Sequence, residues 1–275
     1  MERITELPNE QLDKILTVVD RRFGYNFSGY ARASVRRRVL GFMNRSAIRT
    51  CGELEFLLLN DEGCFPRFLQ YLTVTVTEMF RDPGFYKALR EDVIPQLASY
   101  PFIKIWHAGC STGEEVYSMA ILLKEEGLLE RTKLYATDIN SYVLGKAKQG
   151  IFPLRYMQDY TRNYRNSGGK EEFSGYYTAK YDNVLFDASL KKNMVFALHN
   201  LASDGSFNEF NLILCRNVLI YFDRTFQQRC VQLFQESLCL LGYLGLGTKE
   251  SLAFVDGARY FDPVDQRWRI YRRTR

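Results

Sequence analysis

The chain has 275 residues, of which 46% are hydrophobic and 25% are charged, and its net charge at pH 7 is +5. This composition is ordinary for a globular protein. No apolar run approaches the roughly 18 residues that cross a bilayer, and the start lacks a signal-peptide pattern, so we expect a cytoplasmic protein without membrane insertion. Six scattered cysteines and two distant histidines predict neither a disulfide scaffold nor a metal site.

Residues 1–88 are predicted to form a helical N-terminal domain, because apolar residues such as Leu12, Ile15 and Val19 recur at helical spacing. The segment from Arg21 to Arg49 is strongly basic. It contains eight arginines and no acidic residue, so the rest of the chain has a net charge of −3. A basic patch on a near-neutral body indicates an acidic partner.

Within this segment, residues 30–44 predict a helix whose apolar stripe is Val35, Val39, Phe42 and Met43. A solvated helix that buries this stripe explains the stripe but not the missing acids, since exposed faces usually mix both signs of charge. We therefore favour a docking surface over a solvated face. Its expected residues are five arginines that flank the stripe or point away from it: Arg32, Arg36, Arg37, Arg38 and Arg45.

Residues 89–101 predict a connecting helix and linker, and residues 102–275 a second domain. In that domain strand and helix patterns alternate, which is typical of parallel βαβ units in a Rossmann-like α/β fold. The predicted strands are 102–107, 133–137, 194–198 and 211–215, and the predicted helices are 114–126, 140–149 and 225–241. The end of the chain predicts a turn into a late strand at 241–250 and a closing antiparallel hairpin at 257–275.

The stretch between Gly150 and Met194 differs from its surroundings because it is rich in tyrosine, glycine and charge. It is too long for a simple βα loop and contains short strand-like pieces. We therefore expect a small inserted β-subdomain at about residues 152–193. Long insertions of this kind often contact the substrate.

A glycine-rich turn, Gly109-Cys110-Ser111-Thr112-Gly113, follows the first predicted strand, and Asp138 ends the next strand 25 residues after Gly113. This layout is typical of a nucleotide-type cofactor site, in which Gly109 allows close approach and the acid accepts hydrogen bonds from ribose hydroxyls. Glu114 and Glu115 stand where a pyrophosphate would bind. The turn therefore fits cationic S-adenosylmethionine better than NAD, and the alternative is a strand-turn-helix without a ligand.

Three further stretches complete the pattern: 73–83, the run 199–201 at a strand end, and 211–223. A strand that ends at Cys215 would deliver Arg216, Asn217 and Tyr221 to the carboxyl edge of the sheet, where ligands of α/β folds bind. His107 also lies at a strand end, and we expect a structural role for it.

At these residues the chain resembles the chemotaxis receptor methyltransferases, the CheR family. The matching segments are TVTEMFRDP, WHAGCSTGEEVYSMA, ATDIN, HNL and CRNVLIYFD, in the family's order and at compatible spacings. The resemblance covers essentially the whole chain, including the basic helix. It implies an all-α N-terminal domain followed by a methyltransferase sheet with an inserted β-subdomain.

The resemblance implies methyl transfer from S-adenosylmethionine to glutamate side chains of chemoreceptor cytoplasmic helices, with S-adenosylhomocysteine as the product. The basic helix would then steer and hold methyl-accepting chemoreceptors. By motif position, the residues implied to line the donor pocket are Thr75, Thr77, Arg81, Glu115, Asp138, Asn200, Leu201, Arg216 and Asn217. Asp138 would hold the ribose and Glu115 the amino group of the donor, with Glu114 left open as the alternative.

The chemistry needs little from the protein besides alignment and desolvation. A carboxylate is already an anionic nucleophile near pH 7, so transfer from a sulfonium requires no general base. An arginine and a tyrosine hydroxyl can orient a carboxylate, and we assign these catalytic roles to Arg81 and Tyr221. The structural alternatives are a domain-interface ion pair for Arg81 and a capped core position for Tyr221.

Other functions compete with this one. We expect no nucleic-acid substrate, because residues 216–221 lack a proline-aromatic loop that would grip a flipped base. A methyltransferase for a non-chemotaxis protein and a non-catalytic donor- or receptor-binding regulator both stay open. Met79 replaces an aromatic that is common in the family, and the loop Asn166–Lys170 leaves receptor-tail binding open. Nothing in the sequence requires more than a monomer.

Overall fold

The computed structural model describes residues 4–73, 76–253 and 255–275. The chain divides into two compact units, of which the first comprises Met1–Val74 with Tyr221–Arg229, and the second Thr75–Ile220 with Cys230–Arg275. The division after Val74 lies before the boundary expected at residue 88. The reason is that the apolar residues from Met79 onward belong to the core of the second unit.

The first unit is helical in its described residues, as the sequence predicts. Its helices are α1 (Asn9–Phe23), α2 (Arg32–Arg45), α3 (Cys51–Asn60) and α4 (Cys64–Leu72). The predicted apolar stripe of α2 is confirmed, because Val35, Val39, Phe42 and Met43 are all buried in the core of this unit. Burial of one helix face leaves the opposite, arginine-bearing face to solvent.

A helical stretch of the second unit extends into residues 89–101, where the sequence predicts a connecting helix and linker. Helix α5 (Pro83–Ala88) continues through one π-helical turn (Leu89–Val93) into α6 (Ile94–Leu97). Leu89, Val93 and Leu97 are buried in the core beneath the sheet. Residues 89–97 are therefore part of the folded core, since their apolar side chains recur at helical spacing.

The remaining helices and strands alternate as expected. The strands are β1 (Ile103–Ala108), β2 (Thr132–Asp138), β3 (Ile151–Pro153), β4 (Tyr177–Lys180), β5 (Asn183–Phe186), β6 (Met194–Leu198), β7 (Phe210–Cys215), β8 (Leu238–Leu246), β9 (Phe261–Asp265) and β10 (Ile270–Arg273). The helices are α7 (Glu114–Glu125), α8 (Ser141–Gln149), α9 (Met157–Asn166), α10 (Ala188–Lys191) and α11 (Arg224–Ser237). No helix in the described ranges has the length and apolar character needed to traverse a membrane.

Seven of the described strands form one sheet in the order β6-β2-β1-β7-β8-β10-β9. The first five are mutually parallel, whereas β10 is antiparallel to both β8 and β9. This arrangement confirms the Rossmann-like sheet and its closing antiparallel hairpin. Because parallel strands end at the same edge, the residues after β1, β2, β6 and β7 come together there.

The inserted subdomain, which we define as residues 151–191, contains the small antiparallel sheet that the sequence predicts. Among the described strands its order is β3-β5-β4, and it also contains α9. Phe152, Val184 and Phe186 fill its inner face and are buried. On the outer face Ile151 pairs with Leu185, and both are exposed.

One predicted boundary was wrong. The helix predicted at 225–241 ends at Ser237, and β8 already begins at Leu238. Leu241 has a left-handed backbone (φ 65°), and the pairing of β8 with β7 shifts register between Phe210 and Leu212, which marks an irregularity within the strand. A helix pattern and an irregular buried strand are both rich in leucine, so periodicity did not separate them.

Candidate active site

The glycine-rich turn that follows β1 lies at the carboxyl edge of the sheet. The amides of Gly109 and Cys110 both donate to the carbonyl of Thr137 in β2, at 2.8 and 2.9 Å. Gly109 has a φ of 81°, and a Cβ there would lie 2.6 Å from a methyl carbon of Val218. Glycine is required at this position by both its backbone conformation and the approach of the loop after β7.

Asp138 ends β2 beside this turn. Its Oδ2 accepts from the amide of Ser111 and its Oδ1 from the amide of Asn140, both at 2.9 Å. Burial raises the pKa of Asp138, and these amide hydrogen bonds oppose the rise. The hydroxyl oxygen of Ser111 is buried and has no hydrogen-bond partner among the described residues. An anchored carboxylate next to a free buried hydroxyl suits the binding of a polyhydroxyl group.

Four charged or polar side chains form a connected row across β1, α7, β7 and the segment before α5. Glu115 accepts from His107 Nδ1 through Oε1 (2.9 Å) and from Arg216 Nη1 through Oε2 (3.3 Å). Arg216 Nη2 donates to Asp82 Oδ2 (2.7 Å) and to the carbonyl of Arg81 (3.0 Å). The Arg216 side chain is 1% exposed, so this buried cation is balanced by two carboxylates.

The two adjacent glutamates at the start of α7 have different environments. Burial alone would raise the pKa of Glu115, but the hydrogen bonds and charges of His107 and Arg216 bring it below its ordinary value. Glu114 is buried and accepts from the Thr112 hydroxyl (2.6 Å), and burial raises its pKa to about 7. The structure therefore places Glu115, not Glu114, in the row with Arg216.

Residues 76–82 form the Arg81 loop, which leads into α5. Phe80 and Asp82 both have left-handed backbones, with φ of 51° and 56°. Arg81 lies between them, and among the described residues its guanidinium makes no ion pair. Thr77 is half-buried in the same loop. Thr75, which the sequence also assigned to the donor pocket, lies outside the described residues.

Asn200 and Leu201 follow β6, the neighbour of β2. The amide of His199 donates to the carbonyl of Asp138 (3.2 Å), which brings this turn next to the ribose-binding candidate. The Asn200 side chain accepts from the amide of Ala202 (2.9 Å), and Leu201 is buried. The structure thus gives Asn200 a turn-forming role in addition to its expected place at the edge.

Asn217 follows Arg216 after β7, and a residue that sequence analysis missed holds it in place. Asn217 has a left-handed backbone (φ 61°), and its amide donates to Glu250 Oε2 at 2.9 Å. The same carboxylate accepts from the amides of Gly247 (2.6 Å) and Ile220 (3.3 Å), and Glu250 is only 4% exposed. Asp82 and His107 were also not assigned to the site. An isolated acid after a late strand has no motif that would identify it.

Tyr221 belongs to the first unit. Its carbonyl accepts from the amide of Ala31 (2.9 Å), and the Arg38 guanidinium lies 5.4 Å from the centre of its ring. Arg38 also donates to the carbonyl of Leu72 (3.2 Å). The structure therefore gives Tyr221 and Arg38 packing partners in this unit, and the catalytic assignment of Tyr221 stays a prediction.

The other expected docking arginines differ in their partners. Arg32 forms an ion pair with Asp13 of α1 (2.6 Å), and Arg36 donates to the Asn9 side chain. Two arginines of α2 are exposed and make no ion pair within the described part of the chain: Arg37 and Arg45. The basic helix is thus partly neutralised by α1, while these two cations face solvent.

Comparison with known proteins identifies the family. Residues 75–270 match the family model described as "CheR methyltransferase, SAM binding domain", and residues 10–73 match the model described as "CheR methyltransferase, all-alpha domain". The first match alone covers more than half of the chain. The chain belongs to the CheR methyltransferase family. It is accordingly an S-adenosylmethionine-dependent methyltransferase, and its second unit contains the donor-binding domain.

Relatives of this CheR methyltransferase match over most of their length. "Putative methyltransferase Cher3" of Pseudomonas putida is 48% identical over 273 residues, which are 99% of each chain. A "Chemotaxis protein methyltransferase" of Listeria monocytogenes is 30% identical and covers 86% of this chain and 87% of its own. A protein with the same description from Salmonella typhimurium is 27% identical, with coverages of 90% and 85%.

The residues at the carboxyl edge fit the CheR cofactor. Asp138 has acceptor capacity beyond its two amide partners, and the free hydroxyl of Ser111 lies beside it. Each oxygen of Glu115 has a second lone pair that can accept from an ammonium group. A donor that combines a ribose, an ammonium group and a sulfonium cation matches this acidic set.

Proposed function

We propose that this protein transfers the methyl group of S-adenosylmethionine to glutamate side-chain carboxylates in the cytoplasmic helices of chemoreceptors. The products would be glutamyl methyl esters, formed in the cytoplasm during chemotactic adaptation. The observation that carries the proposal is Arg81, an arginine without an ion pair in the described structure, in a loop tied to the donor edge by Arg216. Such a cation suits an incoming carboxylate.

The role that we propose for each side chain follows from its charge. S-Adenosylmethionine, when bound, supplies an electrophilic methyl group on a cationic sulfur. Asp138 would bind the ribose hydroxyls and Glu115 the ammonium group. Arg81 would orient the carboxylate of the substrate and replace the water that it loses. The sequence alone suggests the same role for the Tyr221 hydroxyl. No residue needs to remove a proton, because the attacking oxygen is already anionic near pH 7.

Two independent features support the receptor substrate. The relatives from Listeria monocytogenes and Salmonella typhimurium are described as chemotaxis protein methyltransferases. In addition, α2 presents exposed cations and no acidic residue, which suits a partner helix that carries glutamates.

The test is transfer of labelled methyl from S-adenosylmethionine to chemoreceptor-containing membranes of the source organism, prepared from cells that lack this protein. We expect label in the receptor bands and its release by alkali as volatile methanol, because carboxyl methyl esters hydrolyse readily in base. An excess of S-adenosylhomocysteine in a parallel reaction controls for label that does not depend on the donor site.

Label that survives alkali would contradict ester formation and would place the methyl group on nitrogen or carbon. Alkali-labile label on proteins other than receptors would support a methyltransferase for a non-chemotaxis protein. Donor binding without any transfer would support a non-catalytic regulator.

A further inference from the structure

The Arg81 loop has a backbone conformation that side chains disfavour. Phe80 and Asp82, the two neighbours of Arg81, both lie in the left-handed region, with φ of 51° and 56°. Residues other than glycine keep this conformation only where the surrounding contacts hold them. The position of Arg81 is therefore set by whatever holds its two neighbours.

The main sheet holds the Asp82 side of the loop. Arg216, which follows β7, donates to Asp82 Oδ2 at 2.7 Å and to the carbonyl of Arg81 at 3.0 Å. Its guanidinium also lies 4.1 Å from the centre of the Phe85 ring. These contacts fix Asp82 but do not reach the residues before Arg81.

On the Phe80 side, Ser118 of α7 accepts from the Phe80 amide at 2.9 Å, and the inserted subdomain supplies further contacts. Asn163 of α9 donates through Nδ2 to the carbonyl of Met79 at 3.2 Å. The Phe80 ring is fully buried and packs edge-on against Tyr164 of α9 and Phe173, with ring centres 5.2 and 6.1 Å apart. The insertion thus contacts both residues that precede Arg81.

These insertion residues are themselves fixed to α7. The hydroxyls of Tyr164 and Tyr176 both donate to Glu125, the latter at 2.9 Å, and Arg90 forms an ion pair with the same carboxylate. The Glu125 side chain is 1% exposed. The Lys170 amide also donates to this carboxylate, at 3.1 Å. A buried carboxylate with four partners resists rearrangement, because each lost partner leaves its charge less compensated.

We propose that the inserted subdomain is a positioning element for Arg81, and that Asn163 is the residue through which α9 fixes the loop at the carbonyl of Met79. The proposal rests on the role of Arg81 in carboxylate orientation stated above. It gives the insertion an effect on the rate of methyl transfer that does not depend on any receptor contact of its own.

The test compares Asn163→Ala and Asn163→Leu with the matched control Asn166→Ala, an exposed asparagine at the end of the same helix. Both Asn163 variants remove the hydrogen bond, and leucine keeps the size of the side chain. We expect kcat for methyl transfer to receptor membranes to fall by about 3- to 10-fold in both, the effect of one hydrogen bond. The KM for S-adenosylmethionine and the affinity for S-adenosylhomocysteine measured by calorimetry should match those of the control. The Tm should fall by no more than the few degrees that one lost hydrogen bond costs.

Two results would overturn the inference. One is a kcat in either Asn163 variant equal to that of Asn166→Ala. The other is a loss of kcat accompanied by an equal loss of S-adenosylhomocysteine affinity or by a fall in Tm of more than about 5 °C, which would show general destabilisation. Absence of methyl transfer by the unsubstituted protein, with S-adenosylhomocysteine binding intact, would instead overturn the proposed function and this inference with it.

Discussion

Glu114 and Glu115 are neighbours in the chain, yet the fold shifts their pKa values in opposite directions. Burial raises the pKa of Glu114 to about 7, because the Thr112 hydroxyl and the start of α7 compensate only part of its desolvation. For Glu115 burial is outweighed by His107 and Arg216, so its pKa is lowered. The rotation between consecutive residues of a helix decides which of the two carboxylates faces Arg216, the residue that follows β7.

The raised pKa of Glu114 predicts a pH dependence of stability. Its folded pKa of about 7 lies above the ordinary 4.5, so its contribution to stability is fully present below pH 4.5 and is lost as pH rises through 7. Glu114→Gln keeps an acceptor for Thr112 but does not ionise. We expect its free energy of unfolding to gain about 1–3 kcal/mol relative to the unsubstituted protein between pH 5 and pH 8.

Urea unfolding at both pH values, without donor, measures this difference. The exposed Glu91→Gln variant is the control and should show no such change relative to the unsubstituted protein. The prediction would be contradicted if the free energy of unfolding of Glu114→Gln, relative to that of the unsubstituted protein, were the same at pH 5 and pH 8.

Glu250 joins two loops at the carboxyl edge of the sheet. Its carboxylate accepts hydrogen bonds from the amides of Asn217, Gly247 and Ile220. These bonds join the loop after β7 to the loop after β8. Burial raises the pKa of Glu250, and these amide hydrogen bonds oppose the rise. Without it, buried amide donors would lack acceptors, which costs about 1–3 kcal/mol for each group.

We expect Glu250→Gln to weaken the binding of S-adenosylhomocysteine by about tenfold, because an amide nitrogen would face backbone N–H groups that need an acceptor. Isothermal calorimetry measures the affinity, and Glu209→Gln, an exposed acid of the same unit, is the control. Unchanged affinity in a folded Glu250→Gln protein would show that the Asn217 turn does not require this carboxylate.

At the scale of secondary-structure elements, the residues of α2 differ in burial and in partners. Its apolar stripe is part of the core of the first unit, and Arg38 is held by Leu72 and Tyr221. Reversing the charge of Arg38 would therefore disturb packing as well as docking. Arg37 and Arg45 are better probes of docking, because both are exposed and neither forms an ion pair among the described residues.

The double variant Arg37→Glu/Arg45→Glu is expected to slow receptor methylation by at least tenfold at low salt, because it replaces two attractive charges with two repulsive ones. The affinity for S-adenosylhomocysteine should not change, and the difference in rate should shrink as salt increases. The control Lys87→Glu/Lys148→Glu changes the net charge equally at exposed positions of the second unit. Equal slowing by both double variants would contradict a specific docking role for α2.

At the scale of the whole molecule, the residues proposed for receptor docking and those proposed for donor binding lie in different units. All the described donor-pocket candidates belong to the second unit, and the expected docking arginines belong to the first. The division lies after Val74, not at residue 88, because Met79, Phe80 and Phe85 supply core to the second unit. The Arg81 loop is therefore part of the methyltransferase domain.

Much of this architecture was predictable from the sequence. The strands at 103–108, 132–138, 194–198 and 210–215 agree with the prediction within one or two residues, because each is a short apolar run between clear breaks. The insertion and its small antiparallel sheet were predictable from length and composition. The extent of β8 was not, since leucine-rich helix and strand look alike when turn residues are absent between them.

By itself the sequence determined the family and the order of elements and predicted which residues follow the parallel strands, because these depend on local patterns and motif spacing. Only the tertiary structure decided that Glu115 pairs with Arg216, that Glu250 holds Asn217, and that Asn163 contacts the Arg81 loop. These partners are separated by 101, 33 and 84 residues along the chain. Contacts over such distances leave no periodicity or spacing in the sequence, because they arise only when the packed core brings their elements together.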